Sequence, residues 1–394
     1  MSGRPSDTRT EIAIIGGGLA GGLIALALRR RHPEMQVLLI ERGKALGGNH
    51  RWSWFDSDLD AEGQALLAGF RKVEWADYEV RFPTYRRRLR SGYNSLASTD
   101  FDSGLRRELG GEAIMTGAEV AALDGDGVDL ASGTRISARA VIDCRSFAPS
   151  PNLAGGWQVF MGRHLRTPAP HGVERPIVMD ASVRQHDGYR FVYTLPLGAN
   201  ELFVEDTYYN DTPELDRSAL SSRIDTYCRA QGWDGEILGG ETGVLPVLTG
   251  GDFGAYRSEG RIEDVAAAGA RGGFVHPLTS YTLPIAVATA LAIAEDAELP
   301  GEQLAAFVDA RARRHWRATK FYRRLGRMLF DAAEPDRRYR IFERFYRLPK
   351  PLIERFYAAR STRADRIRIL CGKPPVPVHR ALAALAGRGK PLTR

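Results

Sequence analysis

Two acids stand side by side in the stretch ELFVEDTYYND, residues 201–211. Leu202, Phe203 and Val204 precede them, and Thr207, Tyr208 and Tyr209 follow, so they fall inside a strand. Side chains alternate along a strand, which puts Glu205 with Phe203 and Thr207 and Asp206 with Val204 and Tyr208. A carboxyl among apolar and aromatic neighbours loses hydration, and its charged form is penalised. Its pKa rises and it stays protonated near neutral pH, which suits general-acid catalysis. Glu205 is expected to be the general acid or its proton relay. Asp206 is expected to orient it, or to stabilise a cation as a carboxylate. The plain alternative is a strand end with both acids hydrogen-bonded at the turn YYND.

A second constellation opens the chain. Gly16, Gly18 and Gly21 form G-x-G-x-x-G after the apolar strand EIAIIG and before the helix read from LAGGLIALALRRRHP. Glycines permit the tight turn, the close approach of a pyrophosphate and helix–sheet packing, and the helix N-terminus attracts phosphate charge. Glu41 ends the next strand, MQVLLIER, where an acid accepts from a ribose hydroxyl. Strand, turn, helix, strand and acid coincide, so Gly16, Gly17, Gly18, Leu19, Ala20, Gly21, Glu41 and Arg42 are expected at a dinucleotide. The motif itself serves FAD and NAD alike. Its place near the start of the chain, followed by ERGKALGGNH with Gly48, Asn49 and His50, favours FAD.

These residues need elements to hold them. With 394 residues the chain has room for two or three packed units. After the β-α-β unit come a strand-rich excursion (KVEWADYEVRFPTYRRRLRSGY), a helix, and a meander ending in the buried strand AVIDC. Residues 155–250 read mostly as strands: GWQVFMG, PIVMDASV, GYRFVYTLPLG and ELFVEDTYY, broken by one helix, ELDRSALSSRIDTYCRAQG. GGFVHPLTSYTLPIAVATALAIAEDA reads as a loop entering a helix, and the rest as helical. The expected units are a discontinuous dinucleotide domain (10–72, 97–150, 255–300), a β-rich substrate domain (73–96, 151–254) and a helical C-terminal layer (301–394).

Composition narrows the class. Cys144, Cys228 and Cys371 form no CxxC pair, which argues against a disulfide framework or a cysteine zinc site; no metal is expected. The start MSGRPSDTRTE lacks the apolar core of a signal peptide. The uncharged run 12–28 is at the short limit for a membrane span but contains the glycine turn, so no transmembrane helix is expected. Residues 311–394 carry 24 Lys+Arg against 6 Asp+Glu, a net +18, while the remainder is −11. Aromatic residues recur between the arginines at helical spacing. That pattern fits an amphipathic face for anionic lipid or a solvated layer with snorkelling arginines. No nucleic-acid motif accompanies it.

Four further stretches carry a resemblance: GGNHRWSWF (47–55), GYRFVYTLPL…LFVEDTYY (188–209), GGFVHPLTSYTLPIAVATA (272–290) and LCGKPPVPV (370–378). With the N-terminal turn, they make the chain resemble the bacterial lycopene β-cyclase family over nearly its whole length. The resemblance implies an α/β fold with a Rossmann-type FAD-binding domain, an inserted β-rich substrate domain like those of aromatic hydroxylases and geranylgeranyl reductases, and a helical C-terminal region. It implies cyclisation of lycopene, through γ-carotene, to β-carotene without net redox change. It further implies reduced FAD, NAD(P)H as electron source, and peripheral attachment to the cytoplasmic side of a membrane. Cyclisation starts by protonating a carbon–carbon double bond, and the resemblance points to Glu205 for that role.

Aromatic residues would line the substrate tunnel and face the cation; Trp54, Tyr193 and Tyr208 are the first candidates, with Trp52, Phe191 and Tyr209 behind them. His276, Pro277, Thr279, Ser280 and Tyr281 form a loop expected to present backbone N–H groups to the flavin, and Asp143 ends a strand where this fold approaches it. Two departures stand out. The family's TGY reads Thr279-Ser280-Tyr281, and Ser280 lacks glycine's freedom to take positive φ. The usual Gly-Asp before the loop is replaced by GARGG (269–273). The rival readings are an FAD-dependent prenyl reductase or monooxygenase, and a non-enzymatic flavoprotein that binds a carotenoid or an acidic partner.

Overall fold

The computed structural model describes residues 8–186, 188–372 and 376–393. The Lys373-Pro374-Pro375 part of LCGKPPVPV and all of the N-terminal MSGRPSD therefore lie outside the described residues.

The chain folds around two main sheets. In the first, the parallel strands Thr8–Ile15, Val37–Glu41, Ile114–Thr116, Arg135–Asp143 and Val265–Ala267 form the core, and Val120–Asp124 and Gly127–Leu130 extend it as the antiparallel meander. Parallel strands buried on both faces read as continuous apolar runs, which is why AIIG and AVIDC carry no alternation. Helix Leu19–Arg31 follows the first strand and buries nine residues on all sides, including Leu23, Ile24, Leu26 and Leu28. Its 13 residues span about 20 Å at ~1.5 Å per residue, well short of a bilayer core. Helix Leu283–Glu295 packs beside it. No described helix is long and apolar enough to cross a membrane.

The second sheet has eight strands, with Ser150–Arg166 between Glu236–Gly251 and Glu201–Asn210, then Tyr189–Pro196, Ile177–Asp180, Tyr78–Phe82 and Tyr85–Leu89, and the short Pro391–Leu392 also pairing with Ser150–Arg166. The excursion at 73–96 thus divides: Tyr78–Phe82 pairs in parallel with Ile177–Asp180, while Val73–Trp75 and Tyr93–Ala97 form a small sheet with Arg51–Phe55. Helix Arg217–Gln231 covers one face of the large sheet through Ile224, Tyr227 and Cys228. The other face packs an aromatic core against the C-terminal helices through Tyr322, Phe342, Tyr346 and Phe356.

The strand Glu236–Gly251 was not foreseen. It contains five glycines and Pro246, a composition that reads as loop. It lies at the sheet edge, pairing only with Ser150–Arg166 among the described strands, and an edge tolerates proline. Its glycines also make room for rings, since a Cβ on Gly243 would sit 2.2 Å from Phe160.

The basic C-terminal layer is more internal than its charge suggests. Arg338 is fully buried and donates to the carbonyls of Leu329, Phe330 and Tyr209 and to Asp211. Arg323 lies 3.7 Å over the Trp316 ring, and burial lowers its pKa to about 10. A separate set of apolar side chains, Ile367, Leu370, Val378, Leu382 and Leu385, is exposed on the last helices.

Candidate active site

The glycine turn is built for a phosphate. Gly16 takes φ +100°, and a Cβ there would lie 2.9 Å from the Cys144 carbonyl. A Cβ on Gly21 would lie 2.1 Å from the Gly16 carbonyl, so the helix seats directly on the turn. Gly18 differs, because a Cβ there would meet nothing within 4 Å. It is the N-cap of Leu19–Arg31, with no side-chain cap. Open space in front of uncapped first-turn N–H groups is where an anion binds. Leu19 itself is buried, so it and Ala20 serve packing, and a Cβ on Gly269 would come 2.7 Å from Ala20. The GARGG segment thus closes directly on this turn. Glu41 accepts from Gly17 N–H at 2.8 Å and Gly43 N–H at 2.7 Å; each oxygen keeps a second lone pair for a ribose hydroxyl. Arg42, Gly48 and Asn49 are exposed nearby. His50 is half-buried, and burial lowers its pKa.

Asp143 is turned to other work. Its carboxylate accepts from the Arg145 backbone at 3.0 Å and the Arg145 guanidinium at 2.9 and 2.8 Å, and Arg271 stands 3.4 Å away. Asp143 thus caps the turn after its strand and pairs with two arginines.

The loop 276–281 also departs from expectation. His276 is buried. Its Nδ1 accepts from the N–H groups of Leu278 and Thr279, so Nε2 carries the proton and donates to the Phe356 carbonyl at 3.1 Å. Burial lowers its pKa to about 3. The imidazole, and with Ser280 N–H the loop's own carbonyls, consume N–H groups that had been expected to face a flavin. Ser280 does adopt positive φ, at 56°. Its Oγ donates to the Pro246 carbonyl at 2.9 Å, and its N–H to His276 O at 2.9 Å. Two bonds hold a conformation that glycine adopts without strain. Pro277 O accepts from Leu248 N–H, and Tyr209 Oη donates to Leu278 O. The loop is therefore docked on both strands that carry the acids described next.

Glu205 and Asp206 point to opposite faces of the large sheet. Asp206 lies under helix Arg217–Gln231, fully buried, bonded to Arg190 Nε at 2.7 Å and to Tyr208 Oη at 2.9 Å. Tyr208 accepts from Arg223 at 2.8 Å. Strand alternation forces this separation, so Asp206 and Tyr208 form an ion-pair cluster away from Glu205 and do not stand beside it. Trp54 is corrected for the same reason. In the strand Arg51–Phe55, Arg51 and Ser53 face the large sheet while Trp54 turns into the core beneath the first sheet's helices.

The face carrying Glu205 holds a different set. Tyr193 is its cross-strand partner. Tyr193 Oη bonds Ser53 Oγ at 2.8 Å and Tyr93 Oη at 2.9 Å, and Tyr93 reaches Tyr281 Oη at 3.2 Å. A chain of hydroxyls thus runs from beside Glu205 to the 276–281 loop. Thr207 Oγ1 donates to Glu205 at 2.6 Å. Arg51 lies 5.6 Å from the Phe203 ring centre. Sequence reasoning missed Glu241. It is buried, stands opposite Gly162 on the neighbouring strand, and lies close enough to Glu205 for the two carboxyls to shift each other's pKa. GGETG carries no alternating pattern, so the only available signal was an acid in a segment otherwise poor in charge. Burial raises the pKa of both Glu205 and Glu241, and their proximity raises that of Glu241 further. The arrangement is a pair of carboxyls with raised pKa on a dry, aromatic-lined face, the chemistry of an acid able to give a proton to a weak base.

A family model described as lycopene cyclase protein matches residues 11–383. The chain is 44% identical to a lycopene β-cyclase of Pseudescherichia vulneris, over 95% of this chain and 96% of that one. It is 42% identical to a lycopene β-cyclase of Paracoccus sp., over 96% and 97%. Among solved structures, a probable FAD-dependent monooxygenase of Pseudomonas aeruginosa superposes with a TM-score of 0.59 at 16% identity, covering 86% of this chain and 100% of that one. A geranylgeranyl bacteriochlorophyll reductase-like protein of Thermoplasma acidophilum superposes with a TM-score of 0.57 at 13% identity, covering 97% of each. At such identities these structures establish a shared fold, the two-domain α/β architecture with a β-rich insertion.

Proposed function

The chain belongs to the lycopene cyclase family, and we propose on that premise that it closes both ends of lycopene, through γ-carotene, to β-carotene. The observation that carries the reading is the buried Glu205, its pKa raised by burial, facing aromatic rings. Protonation of a terminal double bond makes a tertiary cation, the neighbouring double bond attacks it, and loss of a ring proton restores neutrality. Atoms and electrons balance, so the product is an isomer. Glu205 supplies the proton, with Thr207 orienting its carboxyl. The rings of Phe203, Phe191 and Tyr193 face the cation, each worth roughly 0.5–2 kcal/mol. Burial of this face excludes the water that would capture the cation.

The open Gly18 turn and Glu41 fit FAD: the start of Leu19–Arg31 would hold the pyrophosphate and Glu41 the ribose. When bound and reduced, with NAD(P)H as electron source, FAD supplies an electron-rich surface that favours positive charge nearby. The discontinuous domain 10–72, 97–150 and 255–300 would hold it, and 73–96 with 151–254 would hold the carotenoid. Lycopene resides in bilayers. The exposed Ile367, Leu370, Leu382 and Leu385, flanked by Arg363, Arg368 and Arg380, support peripheral docking of the 301–394 layer on anionic lipid. The test is incubation of the holoenzyme with lycopene in liposomes, without oxygen, with oxidised and with reduced FAD. β-Carotene of unchanged mass, formed with reduced FAD, is expected. A product changed in mass by hydrogen or oxygen would replace this reading with a reductase or a monooxygenase.

A further inference from the structure

Glu205 and Glu241 lie on strands that do not pair with each other. Both pair with the strand between them, Ser150–Arg166, and both stand opposite the same residue, Gly162. Their side chains therefore rise from the same face on either side of a position that has no side chain of its own. A Cβ on Gly162 would lie 2.3 Å from the Phe203 ring, so the gap is closed to any larger residue. The two carboxyls approach each other over it, and each shifts the other's pKa. A hydrogen bond between two carboxyl groups requires a proton on one of them, since two carboxylates have only acceptors.

We propose that Glu205 and Glu241 share one proton as a carboxyl pair, and that Glu241 is a positioning residue that keeps Glu205 protonated between turnovers. Two buried carboxyls this close cannot both ionise at modest cost, so a single proton is retained well into the alkaline range. Other groups around the pair act in both directions. From the small sheet, Arg51 favours a carboxylate on Glu241. On Glu205's own strand, Thr207 favours a carboxylate on Glu205, as does Glu241, while the charge of Asp206 favours the proton. Tyr193 beside the pair and Asp100 on helix Ser98–Leu109 complete the ionisable set around Arg51. The surroundings thus hold one proton and one negative charge on the pair, with Arg51 nearby. The stoichiometry closes: each cyclisation takes one proton from the pair and releases one from the ring, and the pair returns to its singly protonated state.

This inference rests on the cyclase reading for its purpose, but its test does not require product. Glu241→Gln keeps the size and a hydrogen bond to Glu205 while removing the charge. In the holoenzyme without lycopene, an infrared carbonyl band of a protonated carboxyl should disappear in Glu205→Gln. In Glu241→Gln the same band should titrate away at lower pH than in wild type, by about one pH unit or more. In turnover, the alkaline limb of the pH profile should move by the same amount, and Glu241→Asp should restore much of it. A merely structural Glu241 would change melting temperature or FAD retention and leave both midpoints in place, which overturns the proposal. So would a wild type with no such band. A wild-type enzyme that yields no cyclised product, yet shows the band and its shift, would sink the cyclase reading and leave the carboxyl pair standing.

Discussion

Glu205 and Asp206 are adjacent in the chain, yet one faces Tyr193 and Glu241 while the other is paired with Arg190 beneath helix Arg217–Gln231. Their substitutions should therefore fail differently. Glu205→Gln should lower cyclisation by at least about 10²-fold, the ordinary worth of a general acid, while folding and FAD content stay at wild-type levels. Asp206→Asn leaves Arg190 buried without its counter-charge and should cost about 3–5 kcal/mol of stability. Denaturant unfolding of both variants beside product analysis separates the two; equal stability loss in both would refute the division of roles.

Gly162 is the position over which the carboxyls meet. Gly162→Ala forces a methyl into the Phe203 ring, an overpacking expected to cost about 1–3 kcal/mol and to separate the acids. Its activity should fall by more than its stability loss explains at a temperature where the variant is fully folded. Wild-type turnover from a folded Gly162→Ala would show that the close approach is dispensable.

Ser280 holds its positive φ with a side-chain bond to Pro246. Ser280→Ala keeps the strained conformation and strips the Pro246 carbonyl of its partner, at about 1–2 kcal/mol. Ser280→Gly loses the same bond and gains backbone relief of about 1 kcal/mol. The glycine variant should be the more stable of the two in thermal melts, and the reverse order would contradict the strain argument.

His276 ties a stability change to pH. Its folded pKa, about 3, lies below the unfolded value of 6.5. Below pH 6.5 the unfolded chain takes up a proton that the folded chain refuses, so stability falls with pH until the folded pKa is reached, by about 1.4 kcal/mol per pH unit. Burial lowers the pKa of His315 as well, and it adds a slope of the same sign. Urea unfolding between pH 6.5 and 4.5 should be shallower in its pH dependence for His276→Gln by about one proton. Identical slopes would mean that His276 is protonated in the fold.

The exposed apolar patch predicts lipid binding. Wild type should bind anionic liposomes better than neutral ones at low salt, and Ile367→Asp with Leu382→Asp should remove most of that binding. Equal binding to both lipids would leave the patch without this role.

Legibility in the sequence followed physical range. The glycine turn was readable because its requirements are local: Gly16, Gly18 and Gly21 act within one turn and one helix. Alternation correctly placed Glu205 and Asp206 on separate faces, but said nothing of Arg190, which comes from the neighbouring strand. Glu241 was hidden because an edge strand that makes room for Phe160 with glycine loses the apolar periodicity by which strands are recognised. His276 was expected to serve a flavin and instead clamps its loop to Phe356, 80 residues away. Trp54 was chosen by residue type, and the parity of its strand turned it into the core. The arginine run read as surface, whereas Arg338 supplies the donors that free carbonyls near Leu329 and Phe330 require.

Isotope incorporation tests the central claim, that an exchangeable carboxyl proton starts the reaction. The holoenzyme, equilibrated in deuterium oxide with reduced FAD and no oxygen, is given lycopene in liposomes, and the β-carotene is analysed by mass and NMR. The account predicts deuterium bonded to ring carbon in the wild-type product and no cyclised product from Glu205→Gln. Cyclised product free of deuterium, or formed equally well by Glu205→Gln, would contradict it.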